Sequence, residues 1–231
     1  EARKTVSELD KAHGPRRDWV WARLGQSPLA AALEHLGTVC EHVGAPVAGE
    51  TPDAMATAYT KTAYLADDGA LAAMAAVKSA EDQAAVREAL RSVYLPWIED
   101  TARKFQAAIE KSPLPTAKEL DDGAVVADPK QCVLFVDGLR YDVAQRLLRK
   151  VHERQFSTTE GYRWAALPTV TATAKPAVTP VATKVEGGQA GDDFCPVFQY
   201  SRKPVTAAMV RESLGSEGYQ VLHGLDAGEA Q

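Results

Sequence analysis

At 231 residues the chain is long enough for two modest domains or one large one, with a proper buried core. Its hydrophobic content of 45% and charged content of 25% exclude disorder as the main state, and its net charge of -5 exerts no overall pull on nucleic acid, leaving only a local basic patch for that purpose. No apolar run approaches the roughly 18 residues of a membrane span, and Glu1 to Glu8 contain no apolar leader, so a cytoplasmic protein without membrane contact is expected.

The chain begins at Glu1 rather than Met and reads as a piece of something longer. Cys40, Cys132 and Cys195 are too few and too scattered for a disulfide framework or a thiolate zinc site, so they are expected to behave as small reduced hydrophobes.

From about Trp19 to Lys111 the pattern is helical. Ser27-Pro28 supplies an N-cap and a proline at the first helical position, after which Leu29, Leu33, Leu36, Cys40 and Val43 recur at three- and four-residue intervals until Gly44. Thr51-Pro52-Asp53 repeats that start, with Met55, Tyr59, Thr62 and Leu65 on one side. Gly69 is expected to break the pattern and Ala70 to Lys78 to form a short helix.

Ser79 to Glu110 reads as one long helix that opens on the capping-box variant Ser79-Ala-Glu-Asp82, with Val86, Leu90, Val93, Trp97, Thr101, Phe105 and Ile109 on one face and a kink at Pro96. Residues 1–112 thus read as an α-helical domain, and the two prolines of Ser112-Pro113-Leu-Pro115-Thr116 open a linker over 113–129.

Beyond the linker the periodicity changes. Cys132-Val-Leu-Phe-Val-Asp137 is a continuous apolar run that suits a strand covered on both faces. Leu139, Val143, Leu147 and Val151 then follow at helical spacing, and Phe156 to Leu167 is expected to hold a further strand, which makes a right-handed β-α-β unit with parallel strands. Pro176 and Pro180 would distort any helix started at Thr171, and the glycine-rich stretch 187–193 looks like a loop. Val205 to Leu214 reads as a helix ending at Gly215, and Tyr219 to His223 as a strand.

Two segments of this α/β part ought to meet in space as a phosphate-handling edge. In the first, Asp137 ends a strand and Gly138 lets the chain turn. A carboxylate so placed suits a divalent metal, while the plain alternative is a helix cap near Leu139.

In the second, Pro168-Thr169-Val-Thr171-Ala-Thr173 puts hydroxyls where the free N–H groups of a helix start favour an anion. A threonine hydroxyl becomes a nucleophile only with a base or a metal, which Asp137 could hold; the plain alternative is an N-cap. Arg140 and Lys175 stand one turn beyond and suit a phosphate oxygen or, as ordinary helix charges, solvent.

Asp142 is expected to stabilise a first helical turn. His13, His35, His42 and His152 have no partner at ligand spacing, and His223 ends the last expected strand. A P-loop, a haloacid-dehalogenase motif and a Gly-x-Ser-x-Gly elbow are all missing from the sequence.

Val133-Leu-Phe-Val-Asp137-Gly-Leu-Arg140-Tyr-Asp142, followed by Trp164-Ala-Ala-Leu-Pro168-Thr-Val-Thr171-Ala-Thr-Ala-Lys175, resembles the opening of a PglZ domain of the alkaline phosphatase-like superfamily. Tyr59 to Asp67 and Tyr94 to Glu99 resemble what precedes that domain. The resemblance implies a component of bacterial BREX-type phage defence working with other defence proteins. It also implies a metal-dependent phosphohydrolase or nuclease-like activity, with two divalent ions (zinc, or else manganese or magnesium).

By position, Asp137 would be a metal ligand and Thr171 the nucleophile and bridging ligand, with Thr169 its rival. The later Asp-His-Gly and further Asp and His of the superfamily are not recognisable here, so 130–231 is expected to be the first part of such a domain, inactive as it stands. Two alternatives remain open. One is a non-catalytic interaction scaffold, and the other is DNA binding through the arginines between Leu139 and Arg154.

Overall fold

The computed structural model describes residues 1–114, 132–162, 164–165, 169–187 and 195–222. It divides into two compact units, Glu1–Leu114 with Leu139–Thr159, and Pro115–Gly138 with Glu160–Gln231.

The first unit is helical. α1 (Ala2–His13) leads through a 3-10 turn (Gly14–Asp18) into the single turn α2 (Val20–Arg23), and α3 (Pro28–His42) starts on its proline as the sequence predicts. α4 (Pro52–Ala58) is capped by Thr51, whose hydroxyl accepts the Ala54 N–H at 3.2 Å. It runs through a π-helical turn (Tyr59–Ala63) into α5 (Tyr64–Ala75).

Gly69 does not break this run, as its residue type had led one to expect. A Cβ there would lie 2.9 Å from the His35 carbonyl oxygen and 3.0 Å from a Val39 methyl, so the glycine is what lets α5 approach α3. Ala66, Ala70 and Ala73 are buried beside it, as are Ala32, Leu36 and Val39 of α3, and together they form the centre of the core.

The long helix expected from Ser79 is two helices. α6 (Ala80–Val93) is capped by the Ser79 hydroxyl on the Asp82 N–H at 3.1 Å, and α7 (Leu95–Lys111) starts after a break at Tyr94. Pro96 causes the break rather than a kink: it sits in the first turn of α7, where a missing N–H leaves no helical bond unmade. Val86, Val93 and Trp97 face the core, and the Trp97 indole N–H reaches the Ala45 carbonyl at 3.0 Å.

α8 (Tyr141–Glu153), which the sequence reading assigns to the second domain, packs on α5 in this first unit.

In the second unit α9 (Thr171–Ala177) carries Pro176 in its last turn and is limited to seven residues. A 3-10 turn (Pro180–Lys184) leads into β1 (Val185–Glu186), which pairs antiparallel with β2 (Val197–Phe198) in the register Val185↔Phe198 and Glu186↔Val197. α10 (Ala207–Ser216) follows, capped by Thr206. Val181 is fully buried and Phe198, Thr173 and Pro176 nearly so, a much smaller core than that of the helical unit.

The expected parallel sheet differs from what is seen. Residues 132–136 carry no strand, and Val133, Leu134, Phe135 and Val136 are at least half-exposed or close to it. Strand propensity becomes a strand only when neighbours complete the ladder, and among the described residues none pairs with this run. Nor do 156–162, 164–165 or 219–222 form strands. Ala166, Leu167, Pro168, His223, the stretch 188–193 and the linker residues 115–129 lie outside the described residues.

The α3–α5 approach predicts that Gly69→Ala lowers stability by roughly 1–3 kcal/mol in urea unfolding, although alanine is the better helix former by about 1 kcal/mol. A stability gain would show that the two helices can separate without cost.

Candidate functional site

The two motifs singled out in the sequence meet in the second unit through a charge pair. Asp137 occupies a turn with Gly138 at φ +68, a backbone conformation that side chains disfavour, and its Oδ2 lies 2.6 Å from the Lys175 ammonium. Asp137 caps no helix: α8 begins only at Tyr141, with Arg140 at its N-cap. Both partners of the pair are substantially exposed, so as a stabilising contact it contributes at most about 1 kcal/mol.

Thr171 is the first residue of α9 and is exposed. Lys175 follows it by four positions, which puts the hydroxyl and the ammonium on one helix face. Thr169 is also exposed and precedes the N-cap residue Val170. The third hydroxyl of the motif is structural: Thr173 is buried, accepts the Val170 N–H at 3.3 Å and donates to the Val170 carbonyl at 3.0 Å. Thr173 therefore closes the start of α9 in place of a side-chain cap at Val170.

Arg140, the remaining candidate, takes part in a different cluster that belongs to the first unit. Its Nε donates to Asp142 at 3.0 Å, and its guanidinium stands 4.0 Å from Asp67. Asp142 is fully buried in the first turn of α8, where the helix dipole favours a carboxylate, and its Oδ2 has no hydrogen-bond partner among the described residues.

Asp67 accepts the Tyr59 phenol at 2.5 Å through one oxygen and the Tyr94 phenol through the other. Alongside, Arg146 donates from Nε to the Asp68 carboxylate and from Nη2 to the Asp68 carbonyl at 2.9 Å, while the Tyr141 hydroxyl reaches the Thr60 carbonyl at 3.1 Å.

The cluster perturbs its members in a consistent way. Burial raises both phenols above their ordinary range, and the hydrogen bonds to Asp67 push in the same direction because they favour the neutral phenol. Burial opposes the Arg140 charge, but Asp142 and Asp67 outweigh it and raise the guanidinium pKa.

Neither Asp67 nor the two tyrosines were singled out as site residues from the sequence. Tyr59 and Asp67 are eight positions apart, which on a regular α-helix puts them about 80° out of line. The π turn takes up one extra residue and restores them to nearly one face, a shift that no α-helical periodicity count contains.

The chemistry available differs between the two places. In the second unit an exposed hydroxyl and an ammonium on one helix face can hold a phosphoryl oxygen, and a carboxylate neutralises the ammonium. Among the described residues there is no group of three or more His, Cys, Asp and Glu that could hold a metal ion. One carboxylate already paired with a lysine, together with one hydroxyl, does not fit two divalent ions. Comparison with protein-family models, with curated proteins and with solved structures found no match to this chain.

The phenol shifts predict a pH window. A phenol whose folded-state pKa is raised contributes stability in full below the ordinary value of 10.0, and that contribution is lost as pH rises above it, because only the unfolded chain then gives up the proton. Stability should therefore fall above about pH 10, and the Tyr59→Phe/Tyr94→Phe variant should fall less steeply over that range than the parent when urea midpoints are compared. Equal slopes would remove the two phenols from the linkage.

Proposed function

We propose that residues 130–231 are the opening part of a PglZ-type domain of the alkaline phosphatase-like superfamily, and that the protein serves a BREX-type phage-defence assembly together with other defence proteins. The observation that carries this reading is the Asp137–Lys175 contact at 2.6 Å, which joins two motifs 175 - 137 = 38 positions apart in the chain.

In this reading Thr171 is the nucleophile, Thr169 its rival, and Lys175 the phosphate-binding cation. Asp137 and, as bridging ligand, Thr171 would belong to a site for two divalent ions, zinc or else manganese or magnesium, which no group of three or more His, Cys, Asp and Glu completes among the described residues. Arg140 has less claim to phosphate, because its guanidinium is engaged with Asp142 and Asp67. With the donors that are described, the 231-residue chain should be inactive on phosphodiesters.

A second reading, a non-catalytic scaffold of the same assembly, is favoured by Asp137 having an ordinary ion-pair partner. DNA binding through α8 is weakened by the engagement of Arg140 and Arg146 with carboxylates.

The purified chain is expected not to turn over bis(p-nitrophenyl) phosphate with Zn²⁺ or Mn²⁺. Turnover that Thr171→Ala abolishes would show that its site is complete after all. In the intact defence protein, Thr171→Ala and Asp137→Ala should each abolish phage protection, and Asp137→Ala should weaken metal binding in calorimetry. Unchanged protection and unchanged affinity would leave the scaffold reading in place.

A further inference from the structure

Between α1 and α3 the chain spends large apolar side chains on solvent. Trp19, Val20, Trp21 and Leu24 are 53%, 66%, 63% and 64% exposed, four of six consecutive residues around the single-turn helix α2. Scattered exposed apolar residues are ordinary, but two exposed indoles beside two exposed aliphatics within one and a half turns are not. Nothing in the local fold demands them, since α2 contributes no buried residue to the core.

The charges around this patch narrow what can cover it. The Arg16 guanidinium lies over the Trp19 ring at 5.8 Å, and Arg23 is exposed at the end of α2. Neither forms an ion pair among the described residues, whereas the neighbouring Arg17 is held by Asp10 at 3.4 Å and Glu34 at 3.6 Å. The patch thus offers two arginines flanking an apolar centre, with the exposed Asp18 between Arg17 and Trp19.

A continuous polyanion is disfavoured by Asp18 and by the net charge of -5. The four side chains present on the order of 400 Å² of apolar surface, about half of what one partner contributes to a stable dimer, so a second copy of the chain is also disfavoured. Tryptophan and arginine are the residues that dominate protein–protein hot spots.

We propose that Trp19, Val20, Trp21 and Leu24 form a docking surface for an amphipathic segment of another protein, with apolar residues against the indoles and acidic residues opposite Arg16 and Arg23. This goes beyond the phosphoesterase reading and does not depend on it.

The test uses the full chain as bait for a surface-displayed library of peptides of about 20 residues, depleted first against the Trp19→Ser/Trp21→Ser/Leu24→Ser variant. Because these residues are exposed, that variant is expected to keep the helical circular dichroism of the parent. Enriched peptides should carry Asp or Glu flanking apolar positions at helical spacing, and they should lose roughly tenfold or more in affinity to Trp21→Ser alone. They should also lose affinity to Arg16→Glu/Arg23→Glu, which should in turn accept the same peptides with lysine in place of the acids.

Four outcomes would overturn the proposal. They are no enrichment that depends on the patch, an enriched set without acidic residues, patch-dependent binding to phosphatidylglycerol vesicles or oligothymidine in place of peptide, and a dimer in sedimentation that the triple variant dissociates.

Discussion

The carboxylate of Asp67 is the point on which the first unit turns. It takes one phenol from the π turn and one from the α6–α7 break, and it faces the guanidinium that holds Asp142 at the start of α8. Hydrogen bonds to a charged group are worth about 1.5–3 kcal/mol each, and an acceptor stripped of them in a half-buried place would cost a comparable amount. Three stretches of chain, around residues 59–67, at Tyr94 and at Arg140–Asp142, are therefore tied to one side chain. With Arg146 on Asp68 and Tyr141 on Thr60, this explains why the segment after Gly138 belongs with the helices and not with the motif that precedes it.

The apolar core beneath has a complementary logic. Small residues along α5 bring it against α3, with Gly69 at the closest approach, so the interior is built from alanine and valine side chains more than from large ones. A core of small residues leaves large ones to be placed elsewhere. Trp97 closes the α7 side through its bond to Ala45, whereas Trp19 and Trp21 remain exposed.

In the second unit the Asp137–Lys175 pair joins the two motifs, and Thr173 shapes the helix start that Thr171 begins. Hydroxyl, ammonium and carboxylate are a reasonable beginning for phosphate chemistry, but among the described residues they have no companions with which to hold a metal. The proposed phosphoesterase role therefore rests on the motifs and their one contact. The scaffold alternative rests on that same contact being an ordinary ion pair.

Helix starts were legible in the sequence because they are local. Ser79 and Thr51 accept N–H groups within one turn of themselves, Pro28 fixes its own φ where its missing N–H leaves no helical bond unmade, and each begins a helix where its chemistry predicts. The meeting of the Asp137 and Lys175 motifs was also expected from the sequence, although the strand end on which that expectation rested is not seen. What only the tertiary structure decided depends on neighbours distant in the chain. Gly69 is a close approach rather than a break because His35 lies against it, and Tyr59 reaches Asp67 because a π turn re-phases the helix. The run 133–136 carries no strand in spite of its composition because, among the described residues, none completes a ladder beside it. Capping and periodicity are properties of a segment, whereas packing, pairing and charge partnership are properties of what the fold sets next to it.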